Sequence, residues 1–365
     1  MVTALGPVRF RGDLRWIDFE PEADPAATTA AGVTSNYRAL PVRTRLGRFV
    51  HAMMFRSDTR AILNKGWDLV HAWEEPYVHG GFQVARWTPA AVPFVFATFQ
   101  NLAKNYPWPF SWWERCVVRR CNGWIAFGNT VREAMLQRPG YAEKPHVVIP
   151  PGVDTARMTR TESMRAEGFR MLGWREQGPL VIGFIGRFVP EKGLGVLMRA
   201  LGQLPENWRA VFLGGGPELP ELTGWASGFG ERVRIVSGVP HDHVAPYLNA
   251  MDILCAPSLS TNRWREQFGR MIIEAFACAV AVVGSSSGEI PHTIGDAGIV
   301  VPEGDHSALA NVLRELIQSP DRARALGRQG RWRAEAEFAW PVVAERHLRF
   351  FQSLTPANRP AGLRV

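Results

Sequence analysis

Cysteine is scarce in this chain: four in 365 residues, Cys116, Cys121, Cys255 and Cys278. They form no C-x-x-C pair and no zinc-like spacing, so neither a disulfide framework nor a metal site is expected, and reduced cytosol is the default compartment. No run of about 18 apolar residues occurs, and the opening MVTALGPVRFRGD lacks the basic start and apolar middle of a secretion signal. The expected location is cytoplasmic, soluble or peripheral at the inner face of a membrane. Basic residues outnumber acidic ones, 42 to 34, for a net charge of +8. The arginines are scattered singly, without the clusters of a nucleic-acid arm, and no zinc-finger, helix-turn-helix or RNP pattern is present. An anionic partner is expected, and nucleic acid is not.

Several chemical signatures are also missing. There is no G-x-G-x-x-G, which disfavours a nicotinamide or flavin dinucleotide, and no G-x-x-x-x-G-K-[ST], which disfavours P-loop hydrolysis. No G-x-S-x-G nucleophile elbow is found. No Asp-x-Asp pair offers to hold a divalent cation against a diphosphate, so that task would fall to side-chain cations and helix amides. Neither a metal nor a cofactor is expected.

What is present is an ordered α/β composition, 46% hydrophobic and 21% charged with 35 glycines and 27 prolines, long enough for two domains of about 150 residues. From Leu180 onward, short β-branched runs alternate with helical stretches. Strands are predicted at 181–186, 209–216, 233–238, 252–258, 279–285 and 298–302, with a helix at 192–204 after the first of them. Continuous apolar strands separated by helices imply a parallel sheet covered on both faces. The first half repeats the pattern at 68–73, 93–99, 123–128 and 146–150. The PPGVD turn and the polar stretch to Gln177 read as a linker. The expected domains are therefore 1–165 and 175–335, each Rossmann-like and facing a cleft. Residues 336–365 should supply a last helix, AWPVVAERHLRFFQSL, that packs back across the domain junction, and then a frayed tail. The front end is unusual for a doubly wound domain, because no buried opening strand with a glycine turn is evident. Either the first strand is lacking or the chain begins late.

Ligands of open parallel sheets bind at the carboxyl ends of the strands, and three loops at such ends carry unusual residues. In GRFVPEKG, Gly186 and Arg187 close a strand and Lys192 opens a helix, so two cations flank a helix N-terminus and would suit a diphosphate. Without a ligand the same loop is a solvated β-to-α turn. In REQFGRMIIEAFA, Glu266 precedes Phe268 and Gly269, and the helix that follows carries Arg270 and Glu274. Both carboxylates can face a cleft from different depths and accept hydrogen bonds from sugar or ribose hydroxyls. The plainer reading is a helix-start acid plus an Arg270/Glu274 pair at i,i+4. The third loop, GSSSGEIP, ends near Glu289. Upstream, VSGVP places Val239 where a base could rest on a strand end.

These segments, IGRFVPEKG, the E-x7-E spacing from Glu266 to Glu274 and GEIP in that order, resemble family 4 retaining glycosyltransferases of the GT-B fold, over about Asp68 to Gly304. The resemblance implies nucleotide-sugar binding in the second domain, acceptor binding in the first, and transfer with retained anomeric configuration. By position, Arg187 and Lys192 would hold the diphosphate, Phe268 and Gly269 would give backbone contacts, Glu274 would bind the ribose and Glu266 the donor sugar. Domain closure would expel water. The donor would be a UDP-, GDP- or ADP-sugar and the acceptor a carbohydrate or a lipid-linked molecule. In the first half the histidine that such proteins place after the second main strand is replaced by Gln100 in FATFQNL, and His71 in DLVHAW is the better-matched histidine. Those departures, with Glu289, mark the acceptor side, and they leave a nucleotide-sugar-binding protein with an impaired acceptor half, or a sugar epimerase of the same fold, as alternatives. Rings flanked by cations in NYPWPFSWWER suit either a lipid surface or stacking on sugars.

Overall fold

The computed structural model describes residues 2–5, 42–46, 49–176 and 178–355. The chain divides into two compact units, one made of Met1–Ala126, Met135–Val147 and Leu348–Val365, the other of Phe127–Ala134 and Val148–His347.

In the first stretch of chain the elements are β1 (Val2–Leu5), β2 (Thr44–Arg45), β3 (Met54–Phe55), α1 (Ser57–Leu63), β4 (Val70–Trp73), α2 (His79–Trp87), β5 (Phe94–Thr98), α3 (Phe110–Arg120), β6 (Gly123–Ala126), α4 (Asn129–Leu136) and β7 (His146–Val148). The first unit is built on a five-stranded sheet of order β1-β4-β5-β6-β7, with β1, β4, β5 and β6 paired in parallel. Every residue of β5, FVFAT, is buried, as a strand covered on both faces requires. The four strands predicted in this half each contain an observed one. The expectation that the opening strand is lacking is corrected: Val2 pairs with Val70 and Leu5 with Trp73. Four residues followed by polar sequence are too few to show a period of their own, and pairing to β4 is what makes them a strand. The glycine turn sought after this strand lies outside the described residues, as does the tail beyond Thr355.

The second unit contains α5 (Glu162–Leu172), β8 (Leu180–Arg187), α6 (Leu194–Leu201), β9 (Trp208–Gly215), α7 (Leu219–Ser227), β10 (Val233–Val236), α8 (Val244–Ala250), β11 (Ile253–Ala256), α9 (Arg270–Ala277), β12 (Ala281–Ser285), α10 (Ile290–Ile294), β13 (Ile299–Val301), α11 (His306–Gln318) and α12 (Pro320–Arg333), and it is followed by α13 (Trp340–Leu354). Its six strands run parallel in the order β10-β9-β8-β11-β12-β13. Alternate residues feed two cores. Val181 joins Leu248, Ile272 and Phe276 on one face, while Ile182 and Phe184 join Leu197, Leu201 and Leu313 on the other. Helices on both faces make this unit doubly wound.

The polar stretch read as a linker is a helix. In α5 the Thr161 side chain accepts from the Met164 amide and Gly173 ends the helix in a left-handed conformation, so both termini are capped. Phe169 and Leu172 are 3% exposed, which places the segment in the second unit's core rather than outside it. Its apolar face is only a few residues wide and was hidden by the charged ones around it. The last helix, α13, divides at His347: Phe350 and Leu354 pack so tightly on Gly123 of the first unit that an added Cβ would lie 2.9 Å from each. Among the described residues no helix is long and apolar enough to cross a membrane.

One buried charge is central to the first unit. Glu114 of α3 is 6% exposed and accepts from Arg138 Nε at 2.8 Å and from the Tyr141 hydroxyl at 2.8 Å. Arg138→Ala is expected to cost about 3–5 kcal/mol, because it leaves a buried carboxylate without its cation. Urea unfolding measures the loss, and adding Glu114→Gln should restore part of it.

Candidate functional site

In the second sheet, β8 and β11 are neighbours although β9 and β10 lie between them in sequence. Connections leave this pair in opposite directions, so the loops part and a crevice opens at the carboxyl ends. Arg187 ends β8 on one side of the crevice, and Pro257 and Ser258 follow β11 on the other. After β8 the chain makes a 3-10 turn, Pro190–Lys192, closed by Gly193 at φ +71°. A Cβ on Gly193 would lie 1.9 Å from the Pro257 carbonyl oxygen, so only glycine lets the two loops touch. The Leu259 amide donates to the Glu191 carbonyl at 2.8 Å and locks them together.

That contact positions Lys192. Its Nζ lies 2.5 Å from Glu266 Oε2, and Ser258 Oγ donates to the same oxygen at 2.9 Å. The Trp264 ring centre is 5.2 Å from Nζ. Both side chains are largely covered, 13% and 8% exposed, so each offsets the other's loss of solvation. A third loop fixes Glu266 from behind. The Glu289 amide donates to the Glu266 carbonyl at 3.0 Å, and Gly288, at φ +55°, leaves no room for a Cβ against that carbonyl, 2.1 Å away.

The helix α9 begins at Gly269, whose φ of +80° turns the chain into the first helical residue. Its leading amides lack helical partners and favour an anion. Glu274 is 7% exposed. His241 Nε2 lies 2.9 Å from Glu274 Oε1 and an Arg270 guanidinium nitrogen lies 3.5 Å from the same oxygen. The hydrogen bond to Glu274 holds the His241 pKa above its usual value, against burial and the nearby Arg270. Phe268 is a core residue, with its ring 5.9 Å from that of Phe338 and edge-on to it. Its carbonyl accepts from Thr293 Oγ1 at 2.9 Å.

The structure thus brings Lys192 and Glu266 into contact, and Arg270 and Glu274 as well. Gly186 and Arg187 sit at the end of β8 on the same edge. Arg187 is exposed and its guanidinium makes no contact among the described residues, so it is available to a ligand. Val239 packs on the core just past β10. Glu289 has another task than the acceptor side. It is 3% exposed, and its carboxylate accepts from the Asn129 amide at 2.7 Å, the Thr130 amide at 2.7 Å and Thr130 Oγ1 at 2.6 Å. It caps α4 from 160 residues away, where the helix dipole favours an anion.

In the first unit, His71 lies inside β4 rather than in a loop and is 2% exposed. Its Nδ1 accepts from Trp73 Nε1 at 3.1 Å, so the ring is part of the core. Gln100 does stand beyond the end of β5, and its Nε2 donates to the Tyr106 hydroxyl at 3.0 Å. Next to it Glu75 accepts from Thr98 Oγ1 and from the Phe99 amide, both at 2.7 Å, and ties the ends of β4 and β5. Burial pushes its carboxyl pKa up to about 7 and that of the adjacent Glu74 to about 8. Sequence reasoning missed Ser258, Trp264, His241 and this acidic pair. The first and third were legible as polar residues just past the strands ending at Ala256 and Val236. The recess of about 330 Å³ bounded by Arg165, Asp252 and Arg324 opens at the opposite, amino-terminal edge of the second sheet. Its acid already accepts from the Val181 amide at 2.9 Å.

Two family models match the chain, glycosyltransferase family 4 over residues 18–157 and glycosyl transferases group 1 over residues 179–319. D-inositol 3-phosphate glycosyltransferase of Xylanimonas cellulosilytica is 30% identical over 309 residues, covering 81% of this chain and 70% of that protein. A GDP-mannose-dependent alpha-(1-6)-phosphatidylinositol monomannoside mannosyltransferase of Mycolicibacterium smegmatis is 34% identical over 202 residues, 53% of this chain and 52% of the relative. Matches to four curated relatives span 52% to 66% of those proteins' lengths. The crystal structure of Anabaena HepE with UDP and glucose superposes with a TM-score of 0.69 at 20% identity, over 81% of each chain. That likeness is one of fold: two parallel-sheet α/β units of the GT-B class.

If Glu289 is a structural cap, Glu289→Ala should lower stability by about 2–3 kcal/mol, the loss of charge-assisted bonds to buried amides. For a unit of this size that is roughly a 4–12 °C fall in melting temperature. Scanning calorimetry checks it, and an unchanged melting temperature with lost activity would return Glu289 to the acceptor side.

Proposed function

Because this chain belongs to the group 1 glycosyl transferases of family 4, we propose that it moves a hexose from a nucleoside-diphosphate sugar to a carbohydrate or lipid-linked acceptor with retention of configuration. The donor is a UDP-, GDP- or ADP-sugar. The observation that carries this reading is the buried Lys192 and Glu266 pair at the switch point, 2.5 Å apart, with Glu274 little more than one turn along the helix that follows. Only a ligand that offers an anion to the lysine and hydroxyls to the carboxylate can separate the two at little cost, and a sugar diphosphate offers both.

The division of labour is the one the family resemblance implies, and the contacts are compatible with it. Lys192 and the exposed Arg187 meet the diphosphate, together with the first amides of α9. As the bond to the anomeric carbon breaks, charge grows on the departing diphosphate, and preorganised cations stabilise it there. Glu266, held by Ser258 and by its own carbonyl, accepts from the sugar hydroxyls. Glu274 accepts from the ribose and Val239 borders the base. Since these cations meet the charge themselves, no divalent metal is needed. The acceptor meets the first unit, whose polar edge carries Glu75, Gln100 and Tyr106.

A lipid-linked acceptor is favoured by the surface of α3 and its approach. Trp108 is 79% exposed and Trp112 43%, along the same stretch as the exposed Arg115 and Arg119. The mannosyltransferase relative is named for a phosphatidylinositol-linked acceptor. The location that goes with such an acceptor is the cytoplasm, at the inner face of the membrane.

Lys192→Ala should weaken UDP-glucose or GDP-mannose binding by about 1.5–3 kcal/mol, the range for a charge-assisted contact. Glu266→Gln should instead lower turnover by roughly a hundredfold or more, with nucleoside-diphosphate affinity kept or raised because Lys192 is released. Calorimetric binding and donor hydrolysis separate these outcomes, and equal loss of binding in both variants would refute the assigned roles. EDTA should leave donor hydrolysis unchanged. Sedimentation with anionic phosphatidylglycerol vesicles should fall roughly tenfold when Trp108 and Trp112 are both changed to alanine. Equal, negligible binding by wild type and variant would end the membrane reading.

A further inference from the structure

The base-side strand β10 ends at Val236, and five residues on His241 opens a 3-10 turn, His241–His243. This residue belongs to none of the segments that carry the family resemblance, yet it makes the shortest contact to Glu274. Every hydrogen bond and ion pair to that carboxylate among the described residues lands on Oε1: His241 Nε2 at 2.9 Å and Arg270 at 3.5 Å. None reaches Oε2. The Glu274 side chain is 9% exposed, while those of His241 and Arg270 are 53% and 61% exposed. An inner carboxylate is thus gripped by one oxygen from the rim.

We propose that His241 is a positioning residue of the nucleotide site, pinning Oε1 of Glu274 so that Oε2 faces the ribose hydroxyls and placing an imidazolium beside the incoming anionic nucleotide. This rests on the donor-site reading given above. The physical case has two parts. A carboxylate accepts a vicinal diol well only when its plane is fixed, and two donors on one oxygen fix it. A carboxylate near a diphosphate is also repelled by it, and a cation at 2.9 Å offsets that repulsion in a half-buried place.

The second part has a sign. The groups facing His241 are Glu274 and Arg270 from α9 and Asp242 from its own turn, and Asp242 is in turn paired with Arg157 at 3.2 Å. An anionic ligand added to this set favours the protonated ring, so binding takes up a proton once the pH exceeds the free protein's His241 pKa. Affinity is therefore highest when the ring is already charged, and it falls as pH rises.

The test is titration calorimetry of the full chain with UDP-glucose and with GDP-mannose, whose diphosphates stay fully ionised, from about pH 6 to about pH 8.5 in buffers of different ionisation enthalpy. Wild type should lose affinity roughly tenfold across that range, one pKa unit of linkage, with net proton uptake on binding. His241→Gln keeps a donor to Glu274 but cannot charge, and should give a flat profile near the wild-type value at the alkaline end. His243→Gln should keep the slope, and Lys192→Ala should weaken binding at every pH without changing it. A wild-type profile already flat, or the same slope in His241→Gln, would overturn the proposal while leaving the donor site standing. Unaltered binding in both Lys192→Ala and Glu274→Ala would overturn both.

Discussion

The contact between Lys192 and Glu266 organises the second unit's functional edge. A lysine and a glutamate that are both largely buried would each carry several kcal/mol of desolvation cost alone. At 2.5 Å each supplies the other's missing solvation. The pair also links three loops, because Lys192 comes from the turn after β8, Ser258 follows β11, and the Glu266 carbonyl is held by the loop after β12. The charge balance within this pair is the same balance that a ligand separating it must replace. Under the proposed reading, a molecule presenting anion and hydroxyl together would meet that requirement better than an anion alone.

The strand order of the second sheet explains where this happens. Reading outward from β8, the chain runs to one edge through β9 and β10 and then returns to the other side through β11, β12 and β13. Dinucleotide-binding sheets with this order use a glycine fingerprint at the first turn, where bare backbone approaches the phosphates. Here that turn reads GRFVPEKG. Its glycine Gly193 serves loop-to-loop contact with Pro257 instead, and under the proposed reading the phosphate task would fall to Arg187 and Lys192.

Much of this was legible in the sequence, and the limits are physical. Strands buried on both faces are continuous apolar runs, so every central strand showed itself, and the residues at their carboxyl ends followed. Elements that owe their existence to a partner did not. β1 is four residues that become a strand beside β4, and α5 shows its apolar side only through Phe169 and Leu172. Contacts over long separations were also invisible: nothing near Glu289 marks it as the cap of a helix at Asn129, and nothing in VSGVPHDH says that its first histidine meets Glu274. Pattern reveals periodicity and local spacing, whereas partners across the sheet emerge only on folding.

Composition was the weakest guide, for a reason the contacts make plain. A net charge of +8 suggests a broadly cationic surface, yet many arginines are committed to holding the chain together. Arg331 donates to the carbonyls of Thr155, Met158 and Ala277, Arg120 to those of Pro89 and Val92, and Arg138 is bound to Glu114. Carbonyl-bound guanidiniums keep their charge but present little of it to a ligand. Exposed cations are spread along the chain, and two sets of them bear on the proposed ligands: Arg187 and Arg270 on the functional edge of the second sheet, and Arg115 and Arg119 on α3. The formal charge by itself therefore does not locate an anionic partner, and the local surroundings of these two sets must. On the functional edge of the second sheet the buried acids Glu266 and Glu274 stand beside Lys192 and Arg270, and this combination suits a sugar phosphate better than a bare polyanion.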